Sequence, residues 1–248
     1  QFPEILFNVL TCRKRQFYVA DEPGSIAEGI PQIRDSKLKA WVSIMYGCNN
    51  FCSYCIVPYV RGRERSRQPE DILAECRALV EAGAKEITLL GQNVNSYGKD
   101  LKTGESLIDL VEAVCAAAGE MRVRLGSLEP RTITEEFCRR ASKLPNLCPH
   151  FHLSLQSGSD RVLALMKRKY NSRMAMRAIE LLRERIPNVK FTTDVIVGFP
   201  GESETHFKVK GRNDWYCESI VTEQTGTRTE PVADMVSVPL QSFDNTRC

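Results

Sequence analysis

The chain has no uninterrupted apolar run of the roughly 18 residues needed to cross a bilayer, so we expect no membrane-spanning segment. It also lacks a basic start followed by an apolar stretch, which is the pattern of a secretory signal. It does not begin with Met, and we expect it to be the middle of a longer protein. Ten cysteines without such a signal predict a reducing cytoplasm, where thiols bind metals rather than form disulfides.

A strong excess of one charge is also absent, because the net charge is only +3 over 248 residues. Overall charge therefore does not identify a nucleic-acid-binding protein. Locally, four arginines alternate with other residues, namely Arg61, Arg63, Arg65 and Arg67. Every second side chain of an extended segment points the same way, so they predict a row of guanidinium groups that suits phosphates. The alternative is a solvated arginine face with Glu64 as partial counter-charge.

Histidine is scarce, and none of the three precedes His150. Against this background Cys48, Cys52 and Cys55 stand out, in the spacing C-x3-C-x2-C. A zinc site usually needs four protein ligands, and cysteines this close strain a disulfide and leave an odd one over. The spacing also fits one face of a helix, but Gly47 and the pair of asparagines that follows Cys48 favour a loop. We interpret the three thiols as ligands of an iron–sulfur cluster, with zinc or structural thiols as the alternatives.

Between residues 37 and 207, strand-like and helix-like segments alternate. Strands are predicted over 40–46, 85–91, 122–128, 150–156 and 189–197, and helices over 69–82, 107–118, about 133–144, 159–167 and 172–185. Five strand-then-helix units in succession predict right-handed crossovers and a parallel α/β sheet. Their regularity favours a barrel, and an open doubly wound sheet is the alternative.

Polar residues and one glycine follow these strands at their carboxyl ends, where binding and catalytic residues collect in such folds. They are Gln92, Asn93 and Asn95 after the second strand, Ser127 and Glu129 after the third, Gln156 and Ser157 after the fourth, and Asp194, Gly198 and Glu202 in or after the fifth. Any one of them, taken singly, is explained as an ordinary loop or capping residue. Their placement at one rim predicts a binding site there.

The two ends differ from this regular part. Residues 1–36 carry too little apolar sequence to bury a core of their own. Residues 208–248 are polar and rich in Thr, and we predict an atypical, irregular tail. The predicted divisions are therefore 1–36, 37–207 and 208–248.

The segment from Cys48 to Arg67 resembles the radical S-adenosylmethionine (SAM) enzymes that methylthiolate tRNA. The likeness lies in the cysteine spacing, in Tyr54 just before the third cysteine, and in the linker that follows. Further matching segments are 90–98, 155–160 and 194–202, and the resemblance covers about residues 1–207. It implies a partial (β/α)6 radical SAM barrel, preceded by a remnant of an amino-terminal α/β domain and its linker in residues 1–36.

The resemblance also implies cofactors and a reaction. Cys48, Cys52 and Cys55 are expected to hold a 4Fe–4S cluster whose open iron binds SAM, and the expected SAM contacts are Tyr54, Gln92, Ser127, Glu129, Gln156 and Asp194. The implied enzyme is a transferase that adds a methylthio group to C2 of N6-isopentenyladenosine next to the anticodon of tRNA. Residues 91–96 favour that substrate. Residues 125–131 and 148–156 are more similar to enzymes acting on N6-threonylcarbamoyladenosine, which is the alternative substrate.

Partners follow from the same resemblance. They are tRNA, contacted by the four arginines, and a reducing electron donor such as flavodoxin or ferredoxin, with the protein expected to be a monomer. A second 4Fe–4S cluster is expected in an amino-terminal domain before residue 1, and a sixth barrel strand and an RNA-binding β-domain after residue 207. We therefore expect this chain alone to bind one cluster but not to insert sulfur. A hypothesis of another class is a zinc-dependent RNA-binding module without catalysis.

Overall fold

The computed structural model describes residues 2–12, 15, 26, 28–29, 34, 36 and 38–206, and the backbone of 234–240. The chain divides into two compact units, Gln1–Ile30 and Pro31–Cys248. In the first unit the structure describes one helix, α1 (Phe2–Cys12), none of whose residues is buried. The assignment of residues 1–36 to a remnant of an α/β domain stays a prediction, because most of them lie outside the described part.

The second unit alternates strands and helices. Its strands are β1 (Lys39–Ser43), β2 (Met45–Tyr46), β3 (Arg65–Ser66), β4 (Glu86–Leu90), β5 (Arg122–Leu125), β6 (His150–His152), β7 (Lys190–Val197) and β8 (Asp234–Leu240). Its α-helices are α2 (Val57–Val60), α3 (Pro69–Glu81), α4 (Leu107–Ala118), α5 (Glu135–Ala141), α6 (Asp160–Leu165) and α7 (Ser172–Arg185). None of the described helices is both long and apolar enough to cross a membrane.

The strands that carry the barrel run parallel in chain order. β1, β4 and β5 form one sheet, and β6 pairs with β7. Isolated parallel bridges, Leu128 to Leu153 and Gln156 to Val195, continue the pairing beyond the regular strands. The predicted α/β fold, a partial barrel of parallel strands, is confirmed.

Helix ends follow the sequence signals. Pro69 opens α3, where its fixed φ suits the first turn and its missing N–H costs nothing. Thr134 caps α5, with its Oγ1 accepting from the Phe137 N–H at 3.1 Å. The core lies between the helices and the sheet, and includes Val42, Ile87, Leu89, Val111, Val114, Val123, Phe151 and Leu182, all almost fully buried.

The structure departs from the sequence prediction where the strands reach the rim. The predicted strand over 40–46 divides at Ile44, because β2 leaves the parallel sheet and pairs antiparallel with β3. The third and fourth strands end at Leu125 and His152, several residues before the predicted ends. Beyond those points only isolated bridges join neighbouring segments, so the apolar pattern continues where regular pairing does not.

The tail predicted to be irregular contains one described strand. β8 pairs antiparallel with β7, from Phe191 opposite Leu240 to Val197 opposite Asp234. Without it, β7 would present an unpaired edge, and a strand edge offers free N–H and C=O groups to any nearby segment of strand-forming sequence. The rest of 207–248 lies outside the described residues.

Candidate functional site

The three predicted cluster cysteines lie on one loop between β2 and α2, as the sequence indicated. Cys48 is buried, Cys52 and Cys55 are partly exposed, and all three are free thiols. The loop begins at Gly47 with a φ of +75°, and a Cβ there would lie 2.1 Å from the Arg63 carbonyl oxygen. Only glycine therefore fits this entry to the loop. The prediction of a loop rather than a helix is confirmed.

Side chains from the ends of neighbouring strands hold this loop in place. The Gly47 N–H donates to Gln92 Oε1 at 2.7 Å, and the Asn50 side-chain amide donates to Glu129 Oε1 at 2.9 Å. Glu64 accepts from the Asn49 N–H at 3.0 Å. The predicted rim residues Gln92 and Glu129 are thus brought to the cysteines as hydrogen-bond partners of the loop backbone and of its asparagine.

Sequence reasoning missed one residue at the centre of the site. Arg168 donates to Cys52 Sγ at 3.3 Å and to the Ser154 carbonyl at 3.1 Å, and lies 3.3 Å from Glu129 Oε1. Its side chain is only 7% exposed. The sequence signal was weak, because Arg168 stands in a short basic run between α6 and α7 that reads as a solvated turn.

Two other predicted SAM contacts lie on β7 and just beyond β6. Gln156 is buried, has a φ of +63°, and its Oε1 finds no hydrogen-bond partner among the described residues. A left-handed backbone at a residue other than glycine is strained, and an unpaired buried acceptor is costly, and both are typical of ligand sites. Asp194 Oδ2 lies 3.3 Å from His152 Nε2, while His152 Nδ1 contacts Thr192 Oγ1 at 2.9 Å.

The remaining two predicted SAM contacts, Ser127 and Tyr54, are more exposed to solvent. Ser127 is exposed at the rim. Tyr54 is 37% exposed, and its ring packs edge-on against Phe199 with 6.3 Å between centroids. Tyr54 Oη accepts from Arg168 at 3.5 Å. These positions leave both side chains accessible to a bound molecule.

Burial governs the ionisation of the site. It raises the pKa of the Cys48 thiol, while the Asn50 N–H, which donates to Cys48 Sγ, acts in the opposite direction. Burial likewise raises the pKa of Tyr54 to about 12. Tyr54 is therefore a neutral hydrogen-bonding phenol at physiological pH.

The donor set is compatible with an iron–sulfur cluster. Each thiolate of such a cluster ligates a different iron atom, so the three sulfurs need not meet at one point. Three free thiols lie on the loop that begins at Gly47, and the Arg168 guanidinium group donates to the sulfur of one of them, Cys52. This arrangement suits ligands of a cluster.

The predicted row of four arginines is not what the structure forms. Arg67 is buried, donating to the Ser43 carbonyl at 2.6 Å and to Glu75 Oε2 at 2.8 Å. Arg61 caps the end of α2, and only the two residues of β3 are extended. The alternation fails because Arg61 lies in a turn and Arg63 in a bend, so the segment is not one continuous strand. Exposed guanidinium groups remain at Arg61 and Arg63, and the Arg63 group stacks on the Phe51 ring at 5.3 Å.

Comparison with known proteins identifies the superfamily of the chain. The model of the radical SAM superfamily matches residues 42–209, from β1 to beyond β7. The chain belongs to the radical SAM superfamily. The cofactors of this domain are a 4Fe–4S cluster and SAM, as the sequence predicted.

Particular relatives narrow the comparison. The chain is 44% identical over 248 residues to a protein of Carboxydothermus hydrogenoformans named tRNA-2-methylthio-N(6)-dimethylallyladenosine synthase, covering 98% of this chain and 56% of the relative. A protein of the same name from Desulforamulus reducens is 52% identical over 189 residues, covering 76% of this chain and 41% of the relative. The chain thus spans about half the length of these relatives.

Solved structures support the fold alone. The cobalamin-dependent S-adenosylmethionine radical enzyme OxsB, with aqua-cobalamin bound, superposes with a TM-score of 0.56 at 11% identity. The match covers 68% of this chain and 25% of OxsB. Parallel strands and their helices are therefore shared, while the likeness carries no information on substrate.

Proposed function

We propose that this chain is the radical SAM part of an enzyme that adds a methylthio group to C2 of N6-isopentenyladenosine next to the anticodon of tRNA. The observation that carries the proposal is the 44–52% identity to proteins named for that product, over 76–98% of the chain. The cysteine loop supports it, because it offers the ligands that the chemistry requires. Because the relatives are about twice as long, the activity belongs to a larger protein of which this chain is one part.

The proposed cluster ligands are Cys48, Cys52 and Cys55. When bound, the cluster would supply the electron for reductive cleavage of SAM, and the resulting radical chemistry would act at C2 of the adenosine. The protein's own work is to hold the ligands and exclude water from the reactive species. Gln92 and Glu129 do the first, because their oxygens accept from Gly47 and Asn50 of the loop.

Direct contact with SAM falls to the other predicted residues. The unpaired Oε1 of Gln156 is a buried acceptor suited to the amino or hydroxyl groups of SAM. Asp194 offers a second acceptor, oriented by His152. Tyr54 and Phe199, whose rings meet edge-on, would line the adenine side, and Ser127 offers an accessible hydroxyl.

Contact with tRNA is proposed for the exposed face beside the cysteine loop. Tyr59 is 73% exposed, its ring meets Phe51 edge-on at 5.7 Å, and Arg63 stacks on Phe51. Aromatic rings with neighbouring guanidinium groups are typical of surfaces that bind unstacked bases and phosphates. Arg61 and Arg63 remain proposed contacts and Arg65 a partly buried one, while Arg67 is withdrawn because Glu75 and Ser43 occupy its guanidinium group.

The wider setting is part of the same proposal. The enzyme acts in the cytoplasm as a monomer, takes electrons from a flavodoxin or ferredoxin, and carries a second 4Fe–4S cluster in a domain outside this chain. This chain alone binds one cluster and does not insert sulfur. N6-threonylcarbamoyladenosine stays the second candidate substrate, on the evidence of residues 125–131 and 148–156.

Two experiments test the proposal. The full-length parent protein is incubated anaerobically with reductant, SAM and tRNA carrying each N6 modification, and the nucleosides are analysed by mass spectrometry. Methylthiolation of N6-isopentenyladenosine is expected, and product only from the threonylcarbamoyl form would contradict the proposal. For this chain alone, reconstitution with iron and sulfide should give a brown protein; C55A should lose the colour and C115A, a buried cysteine outside the loop, should keep it. A colourless protein that retains zinc would favour the RNA-binding module.

A further inference from the structure

Arg168 makes an unusual set of contacts for a residue in a short connecting segment. Besides Cys52 Sγ, Ser154 O and Glu129, its Nε donates to Tyr170 Oη at 3.0 Å. Tyr170 in turn donates to the carbonyls of Ser154 and Leu155, so the guanidinium plane is fixed on several sides. A guanidinium group presents its donors in a rigid fork, and such a set of contacts cannot be reproduced by the single ammonium of lysine.

Around Glu129 guanidinium groups outnumber carboxylates, while Glu64 lies at the Asn49 end of the loop. Glu129 lies 3.3 Å from Arg168 and 2.8 Å from Arg131, so one carboxylate faces two guanidinium groups. The Arg168 and Glu129 side chains are each only 7% exposed. In a buried site the effective dielectric constant is far below that of water, and the residual charge therefore acts strongly on the nearby sulfur.

A donor and a positive charge at a ligating sulfur favour the more negative state of a metal centre. Reduction of a 4Fe–4S cluster adds one electron, and part of the added charge resides on the sulfur ligands. Hydrogen bonds to the sulfurs and local charge are among the factors that set cluster reduction potentials. The same hydrogen bond fixes the direction from which Cys52 presents its sulfur.

We propose that Arg168 is a positioning residue for the cluster, holding the Cys52 sulfur in its ligating orientation and raising the reduction potential of the cluster. The inference rests on the proposed function, because it requires the cluster to be held by Cys48, Cys52 and Cys55. It extends that function to a residue outside the cysteine loop, more than one hundred residues away in the sequence. Its proposed effect passes through the Cys52 sulfur.

The test is a redox titration of the reconstituted chain, followed by electron paramagnetic resonance of the reduced cluster. R168Q removes the positive charge, and R168K keeps the charge but lacks the several fixed N–H donors of the guanidinium group. R124Q is the matched control, because Arg124 also pairs with a carboxylate, Glu86, which lies at the amino end of β4, whereas the cysteine loop contacts residues that follow its carboxyl end. We expect R168Q to weaken the equilibrium for reduction about tenfold, which is about 59 mV for a one-electron couple, with R168K intermediate and R124Q unchanged.

The outcomes separate this inference from the function on which it rests. If the unmodified chain takes up no cluster, the proposed function fails. If it takes up a cluster and both Arg168 variants keep its potential, the inference about Arg168 is overturned and the proposed function stands. If both Arg168 variants are folded by circular dichroism but bind no iron, while R124Q does bind iron, then Cys52 has lost its ligating position, as the proposal requires. If R168K binds the cluster and R168Q does not, a reduction potential in R168K equal to that of the wild type overturns the inference.

Discussion

Replacing Gly47 with alanine is expected to destabilise the cysteine loop far more than an ordinary glycine-to-alanine change. A Cβ at this position would lie 2.1 Å from Arg63 O and 2.6 Å from Gly62 O, and the φ of +75° is itself unfavourable for alanine. The left-handed backbone costs about 1–2 kcal/mol. Relieving the clash separates Gly47 from Gln92 and Cys48 from Gly62 O, two hydrogen bonds worth about 1 kcal/mol each. The expected loss of unfolding free energy is therefore about 3–4 kcal/mol.

Gly62 provides a matched control, because its φ is also +75° but a Cβ there meets no atom within 4 Å. G62A should cost only the backbone component, about 1–2 kcal/mol. Urea denaturation followed by circular dichroism gives both values, and iron analysis after reconstitution reports whether the loop still binds its cluster. Equal losses of stability in G47A and G62A would refute the close approach of the two loop segments.

Three further predictions concern surface arginines, an ion pair and a helix cap. R63Q should weaken the binding of the parent protein to tRNA without lowering stability. R67Q should lower stability by about 2 kcal/mol, because buried Arg67 hydrogen-bonds the Ser43 carbonyl and the Glu75 carboxylate, although Glu75 keeps its second partner, Arg34. Binding assays and urea denaturation test the pair, and an unstable R63Q with a normal R67Q would contradict both assignments. The hydrogen bond from Arg124 lowers the pKa of the Glu86 carboxyl group, so the ionised group stabilises the fold at pH values above its ordinary pKa, and this contribution is lost as the pH falls through the pKa of the folded state. The difference in unfolding free energy between wild type and E86Q, measured by urea denaturation, should therefore shrink on acidification. A difference that is constant from neutral to acid pH would contradict the pairing. T134A should cost about 1 kcal/mol through loss of the α5 cap, measured by thermal denaturation, and no change would show that the cap is not needed.

The periodicity of the sequence predicted the strands and helices of the barrel well, because apolar spacing and glycine or proline punctuation record burial directly. Helix α4 occupies the predicted residues, and α3 differs by one at its end. Among the barrel strands the errors lie at the rim, where Ile44 remains buried although the strand divides there, and among the helices α5 and α6 are shorter than predicted. An apolar pattern reports burial, and it does not report which neighbour a backbone pairs with.

The site was predictable where its residues share one loop and less so where they come from distant segments. Three cysteines within eight residues are recognisable as a ligand motif from the sequence alone, and Gly47 indicates the left-handed backbone at which their loop begins. Arg168 was missed because its partners, Cys52 and Glu129, lie far from it in the sequence. Arg67 was misplaced for the related reason that a local alternation of charge says nothing about Glu75 and Ser43, which draw its side chain inward.

Anaerobic reconstitution of the chain with iron and sulfide, followed by incubation with reductant and SAM, measures the central claim most directly. We predict the broad visible absorbance of a 4Fe–4S cluster at about four irons per chain, and SAM-dependent formation of 5′-deoxyadenosine. Both signals should disappear when Cys48, Cys52 or Cys55 is replaced by alanine. A folded protein with neither signal, or one whose signals survive those replacements, would contradict the account.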